Sequence, residues 1–115
     1  MFDPRYEAQV QLLIRCLPEI SRQECFALKG GTAINLFRRD LPRISVDIDL
    51  TYLPLKPRRE ALHEIEAALR SIANNIKKHI SDTRIEEESA EKRLRKIFVF
   101  TPDAVIKIEP NPVFR

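Results

Sequence analysis

The sequence predicts an α+β domain, a mixed sheet flanked by helices, over residues 1–115. Apolar residues recur at helical spacing in two stretches, Val10 to Leu17 and Leu62 to Ile76. They alternate at period two in two others, Val46 to Leu53 and Ala104 to Glu109. The resulting order is helix, strand, short helix, strand, long helix, strand, strand. There is no internal repeat, low-complexity tract or linker.

Asp3-Pro4 starts the first helix, a capping carboxylate with proline at the first helical position. Val10, Leu13, Ile14 and Leu17 follow on one helical face. Pro18 ends or kinks this helix, and Ile20 to Glu24 is a polar loop or turn. Cys25 to Leu28 is short, apolar and bounded by glycine, which predicts a buried strand. Gly30-Gly31 turns the chain. Thr32 caps a short helix to about Arg39, packed through Ala33, Ile34, Leu36 and Phe37. Arg38 to Arg43 is a charged loop.

On the next strand Val46, Ile48, Leu50 and Tyr52 face one way, and Asp47, Asp49, Thr51 and Leu53 the other. Pro54 and Pro57 close it. Pro57 starts a long helix with Leu62, Ile65, Leu69, Ile72 and Ile76 on one stripe, ending near Lys77 or Lys78. Thr83 to Arg95 is charged and carries no clear period, and Glu86-Glu87-Glu88 reads as a solvated turn or strand edge. Ile97 to Phe100 is apolar on both faces, as in an interior strand covered on both sides. In the last strand Ala104, Ile106 and Ile108 go to the core, while Val105, Lys107 and Glu109 take the other face, before Pro110 and Pro112 end it.

Hydrophobic residues make up 43% of the chain, enough to bury a core, and charged residues 32%. The net charge of +3 permits a nucleic-acid partner without arguing for one. No apolar run approaches the roughly 18 residues of a membrane span. MFDPRYEAQV shows no basic segment followed by an apolar one, so a cytoplasmic protein is expected. Cys16 and Cys25 are too few for a disulfide framework and lack metal-site spacing, so both are expected as reduced, semi-buried thiols. His63 and His79 read as surface residues. The chain stops at NPVFR, just after a strand, and reads like an N-terminal half or a trimmed piece.

The chemistry concentrates between Phe26 and Leu53. Asp47 and Asp49 lie at i and i+2 of a strand, so both project to one side and can share a divalent cation. Aspartate is disfavoured in strands, so two on one strand need a reason; plain exposure of that face is the competing one. Glu109 lies on a second strand, again on the minority polar face. If the two strands are neighbours, three carboxylates converge, and a divalent metal removes their mutual repulsion. Lys107 shares the face of Glu109 and can pair with it or reach a phosphate. Gly30-Gly31 exposes backbone N–H groups, and a helix from Thr32 adds its dipole, a combination that binds anionic oxygen. Lys29, Arg43 and Ser45 flank these features as phosphate contacts or as surface and supporting residues. Neither a Walker A loop nor a G-x-G-x-x-G fingerprint is present, and no Ser-His-Asp or Cys-His grouping is persuasive.

Leu28-Lys29-Gly30-Gly31-Thr32-Ala33, then Arg43-x-Ser45-x-Asp47-x-Asp49-Leu50, then Ile106-Lys107-Ile108-Glu109, in that order, resemble the AbiEii/AbiGii-type nucleotidyltransferases of the DNA polymerase β superfamily. The resemblance spans roughly residues 8 to 115. It implies a polymerase β-like mixed-sheet core with a Gly-Gly turn holding an NTP. It also implies catalysis and Mg²⁺ (or Mn²⁺) binding by Asp47, Asp49 and Glu109, with nucleotide contacts from Lys29, Gly30, Gly31, Thr32, Arg43, Ser45 and Lys107. NMP transfer to an acceptor hydroxyl, on tRNA, other RNA or a small molecule, would follow, with a cognate antitoxin as partner. Thr32 stands where the superfamily often has serine, and Glu109 where other branches have aspartate. The resemblance implies a helical C-terminal region beyond this chain, whose absence predicts apolar surface on the sheet or at the final strand and a homodimer.

Two other readings remain. An Asp-x-Asp glycosyltransferase is disfavoured, because the chain is too short for that fold and Gly-Gly before a helix goes unexplained. A truncated, non-catalytic module that binds a nucleotide or a partner protein is the main alternative.

Overall fold

In the computed structural model of the chain, the described residues are 4–28, 34–38 and 44–111, with side chains described for 7–28 and 46–111. They form α1 (Pro4–Ser21), β1 (Phe26–Leu28), β2 (Ile34–Arg38), β3 (Ile44–Tyr52), α2 (Arg58–His79), β4 (Arg84–Ala90), β5 (Arg93–Phe100) and β6 (Val105–Asn111). The six strands make one mixed sheet in the order β1-β3-β6-β5-β4, with β2 also paired to β3. Among the described residues β3 and β6 pair in parallel and the other strand pairs are antiparallel.

One face of the sheet is the core. Val46, Ile48, Leu50 and Tyr52 of β3, Ile106 and Ile108 of β6, and Leu94, Ile97 and Val99 of β5 are buried there. Both helices pack on that face, α1 over β1, β3 and β6 and α2 over β4 and β5. From α2 it receives Ala61, Leu62, Ile65, Ala68, Leu69, Ile72, Ala73 and Ile76, the stripe expected from the sequence widened by three alanines. Lys77, Lys78 and His79 occupy the last turn of α2, where positive charge suits the carbonyl end of the helix.

The buried face of α1 differs from the expected one. It carries Gln9, Leu12, Cys16, Glu19 and Ile20, while Ile14 is 60% exposed. Two polar residues in this stripe displaced the apolar pattern by about one position, and each has a partner. Both amide atoms of Gln9 bind the backbone of Val105: Nε2 donates to its carbonyl at 2.7 Å and Oε1 accepts from its N–H at 3.1 Å. Glu19 Oε2 lies 2.9 Å from His79 Nδ1, tying the end of α1 to the end of α2. Pro18 does not end α1, which runs three residues further to Ser21. The carbonyl that loses its donor belongs to exposed Ile14, where water can replace it.

The short helix expected from Thr32 to Arg39 is also revised. Residues 34–38 are strand β2, laid antiparallel against Ile44 to Ile48. A helix this short holds few backbone hydrogen bonds of its own, whereas the edge of β3 offers a ladder, and Ile34 and Phe37 favour a strand. The polar loop expected from Ile20 reduces to a tight link, with Gln23 N bonding Ile20 O and Phe26 N bonding Gln23 O.

The charged stretch from Thr83 resolves into the β4–β5 hairpin, joined by Glu91 and Lys92 between the paired Ala90 and Arg93. Both turn residues have positive φ, 54° and 66°. This is the two-residue hairpin geometry that usually takes Asn-Gly, so its ordinary sequence signal is missing. β5 is an interior strand as expected, but among the described residues helices cover one of its faces and not the other. Phe98 and Phe100 lie half-buried on the other.

Candidate active site

The face of the sheet away from the helices carries the candidate chemistry. Parallel pairing sets Asp47 opposite Lys107 and Asp49 opposite Glu109. Alternation then aims all four side chains away from the core, because Val46, Ile48, Leu50, Ile106 and Ile108 take the other side. The strands carrying the Asp pair and the glutamate are therefore immediate neighbours, the condition the sequence left open. The Gln9 amide grips β6 at Val105, its first residue, and so helps fix the row in which Lys107 and Glu109 stand.

The charges on this face form a connected set. Lys107 Nζ lies 3.2 Å from Asp47 Oδ2 and 3.3 Å from Glu109 Oε1, bridging the two strands. Lys96 Nζ, from β5, lies 3.6 Å from Glu109 Oε2 and 3.5 Å from Glu88 Oε1. Burial works against the Lys107 charge, but its hydrogen bonds to Asp47 and Glu109, together with their negative charges, more than offset it and raise its pKa above the ordinary lysine value. These pairs are neither fully wet nor dry: 14% of the Asp47 side chain is exposed, 22% of Lys107 and 30% of Glu109. Asp49 has no ion-pair partner among the described residues.

The edge of β3 opposite β6 is divided between two strands. Leu28 of β1 pairs with Leu50, and Ile34 of β2 pairs with Ile48. The described ends on either side of residues 29–33 thus flank the Asp49 row. Lys29, Gly30, Gly31 and Thr32 themselves lie outside the described residues, as does Arg43; Ser45 is placed in β3 by its backbone, opposite Val105, with its side chain outside them. The helix dipole expected behind Thr32 has no helix over 34–38.

As a cation site the donor set fits in kind. Three carboxylates stand on two adjoining strands of one face, and a cation, the Lys107 ammonium, already sits between two of them. They are not drawn into a closed cage: among the described residues no three acidic, histidine or cysteine side chains are gathered closely enough to hold a metal ion. Lys107 thus takes the first of its two expected roles, pairing with Glu109, and adds Asp47.

Lys96 and Phe98 escaped the reading of the sequence. Phe98 pairs with Lys107 across β5 and β6. Beyond it Phe100 lies 6.3 Å from Phe98 between ring centroids, with the Arg84 guanidinium 4.4 Å above the Phe100 ring. The parity of Lys96, Phe98 and Phe100 was legible; that their strand adjoins the carboxylates was not. A cleft of about 340 Å³ opens beside Glu109, lined by Glu88, Ser89, Arg95, Lys96 and Asn111.

The remaining candidates keep bland roles. His63 and His79 serve no ligand cluster among the described residues; the first lies near Arg93 and the second pairs with Glu19. Cys16 and Cys25 are free, and burial, with Glu19 adding to it, pushes the Cys16 thiol up to about 12. No helix among the described residues is long and apolar enough to cross a membrane.

The model of the family described as "Nucleotidyl transferase AbiEii toxin, Type IV TA system" matches residues 11–113. No curated protein matches the chain.

Proposed function

Since the chain belongs to the AbiEii family of nucleotidyl transferase toxins from type IV toxin–antitoxin systems, we propose that its open sheet face transfers an NMP group from an NTP to an acceptor hydroxyl. The observation that carries this reading is the adjoining register of β3 and β6, with Asp49 opposite Glu109 and Asp47 one row away. Asp47, Asp49 and Glu109 would hold Mg²⁺ or Mn²⁺. Bound there, the divalent ion supplies charge neutralisation for the triphosphate and lowers the pKa of the acceptor hydroxyl.

The chain's own residues do the rest. Asp49, unpaired among the described residues, gives the first carboxylate to an incoming cation. Gly30 and Gly31 belong to the segment whose described ends flank Asp49, and their N–H groups take the triphosphate oxygens. Lys29, Thr32, Arg43 and Ser45 assist there, and Lys107 contributes positive charge. The acceptor hydroxyl belongs to an RNA, tRNA included, or to a small molecule. The protein acts in the cytoplasm, a cognate antitoxin restrains it, and two copies associate through apolar surface away from the carboxylates.

Thermal melting tests this reading. With each NTP, with and without Mg²⁺, one nucleotide raises the melting temperature only when Mg²⁺ is present, and Asp49→Asn abolishes the shift. A metal-independent shift, or none with any nucleotide, would remove the catalytic reading. One observation favours a second reading, a non-catalytic module binding a nucleotide or a partner: Lys107 already neutralises Asp47 and Glu109. That module predicts the metal-independent outcome.

A further inference from the structure

The geometry points to Lys107 as a built-in counterion that keeps the carboxylate site closed until a divalent cation displaces it. This rests on the nucleotidyltransferase reading and adds a residue that sets when the site can load. The Lys107 ammonium lies between Asp47 Oδ2 and Glu109 Oε1, at 3.2 Å and 3.3 Å. Those oxygens belong to two of the three carboxylates proposed to hold metal, one from each of the parallel strands. A divalent ion held by both carboxylates would compete with the Lys107 ammonium for them.

Why such a counterion should exist follows from the sheet. Register sets Asp47 and Asp49 beside Lys107 and Glu109 on adjoining strands. Without a cation, three carboxylates gathered on one face repel each other. Lys107 relieves two of them, and Lys96 adds a second contact to Glu109 through Oε2, at 3.6 Å. Among the described residues the three carboxylates form no closed cage. Asp49, unpaired among those residues, is the point where an ion can first bind. Were Asp47 and Glu109 to turn to such an ion, Lys107 would be free to leave them on its flexible four-carbon stem. Its charge would then be free for the triphosphate proposed to bind on this face. One side chain thereby serves two states, counterion to the carboxylates and then cation to the phosphates, never both at once.

The test is a calorimetric titration of Mn²⁺ into wild type and Lys107→Met, each repeated with inorganic tripolyphosphate present. Two half-buried ion pairs removed together should tighten Mn²⁺ binding on the order of tenfold in Lys107→Met. Tripolyphosphate should strengthen Mn²⁺ binding in wild type and do so less in the variant. Lys107→Gln, which retains a polar head, should repeat the pattern if the methionine variant folds poorly; far-UV circular dichroism checks folding of both. Equal or weaker Mn²⁺ binding in the variants, with wild type binding normally, overturns the counterion role and leaves the metal-site reading standing. No Mn²⁺ binding in either protein, with folding intact, overturns both.

Discussion

Gln9 is a fully buried polar side chain on the helix face that meets the sheet, and its amide is spent entirely on the backbone of Val105. A buried polar group is tolerable only when it is satisfied, and here both partners depend on each other. Gln9→Leu keeps the bulk and leaves a backbone N–H and a carbonyl unmatched beside the core. The expected loss is about 2–4 kcal/mol, read as a lower denaturant midpoint with an unchanged slope. The change also loosens the first residue of β6, two positions before Lys107. Glu66 shows the same economy at the other end of the sheet. Its Oε2 accepts the Leu94 N–H at 3.0 Å and its Oε1 the Arg93 guanidinium at 3.2 Å. The backbone hydrogen bond from Leu94 holds its carboxyl below the usual glutamate range, with Arg93 and Arg70 assisting. The stability it contributes is therefore present above the unfolded-state pKa and is lost as pH falls through the folded one.

Among the elements, the β4–β5 hairpin is the one whose local chemistry conflicts with its conformation. Glu91 and Lys92 both sit in the left-handed region, at φ of 54° and 66°, which costs a residue with a Cβ about 1–2 kcal/mol. Glu91 has compensation, since it pairs with Arg58 of α2 and Arg95 of β5. No ion pair is found for Lys92 among the described residues. Lys92→Gly should remove strain without breaking those pairs, and part of the gain returns as the unfolded-state entropy of glycine. A net stabilisation of about 0.5–1 kcal/mol is expected, visible as a rise of a few degrees in melting temperature. A fall would mean that the Lys92 side chain matters more than its backbone. The helix α2 has no such conflict: its stripe, its proline start and its basic last turn agree with one another.

At the scale of the whole molecule, among the described residues, the helices cover one face of the sheet and leave the other open, which separates stability from chemistry. Large aliphatics fill the covered face, while Asp47, Asp49, Lys107, Glu109 and Lys96 share the open one. The homodimer proposed above draws on apolar surface elsewhere. Ile14, Leu28, Leu53 and Leu55 are exposed. Ile14 and Leu28 line an apolar groove of about 600 Å³ between α1 and the short edge strand β1, together with Leu17, Pro18, Ile20 and Phe26. A dimer through this groove should appear by light scattering at micromolar concentration and weaken in Ile14→Asp, which touches neither the core nor the carboxylate face. A monomer under those conditions removes the proposal.

The sequence by itself determined the class of fold, the long helix, the inward and outward faces of β3 and β6, and the membership of Asp47, Asp49 and Glu109 in one minority polar pattern. These follow from periodicity, which is local and needs no knowledge of neighbours. It failed where local pattern and tertiary demand diverge. The apolar stripe of α1 lies about one position from its buried face because Gln9 and Glu19 are polar by composition yet buried by partnership. The helical pattern of residues 34–38 gives way to strand because a free strand edge on β3 cannot be seen from within them. The β4–β5 turn carries no sequence signal because Glu-Lys replaces the glycine that such a turn usually takes. Only the tertiary structure decided that β3 and β6 adjoin in parallel, and with it that Lys107 falls between Asp47 and Glu109, because register is a property of two strands and is written in neither alone.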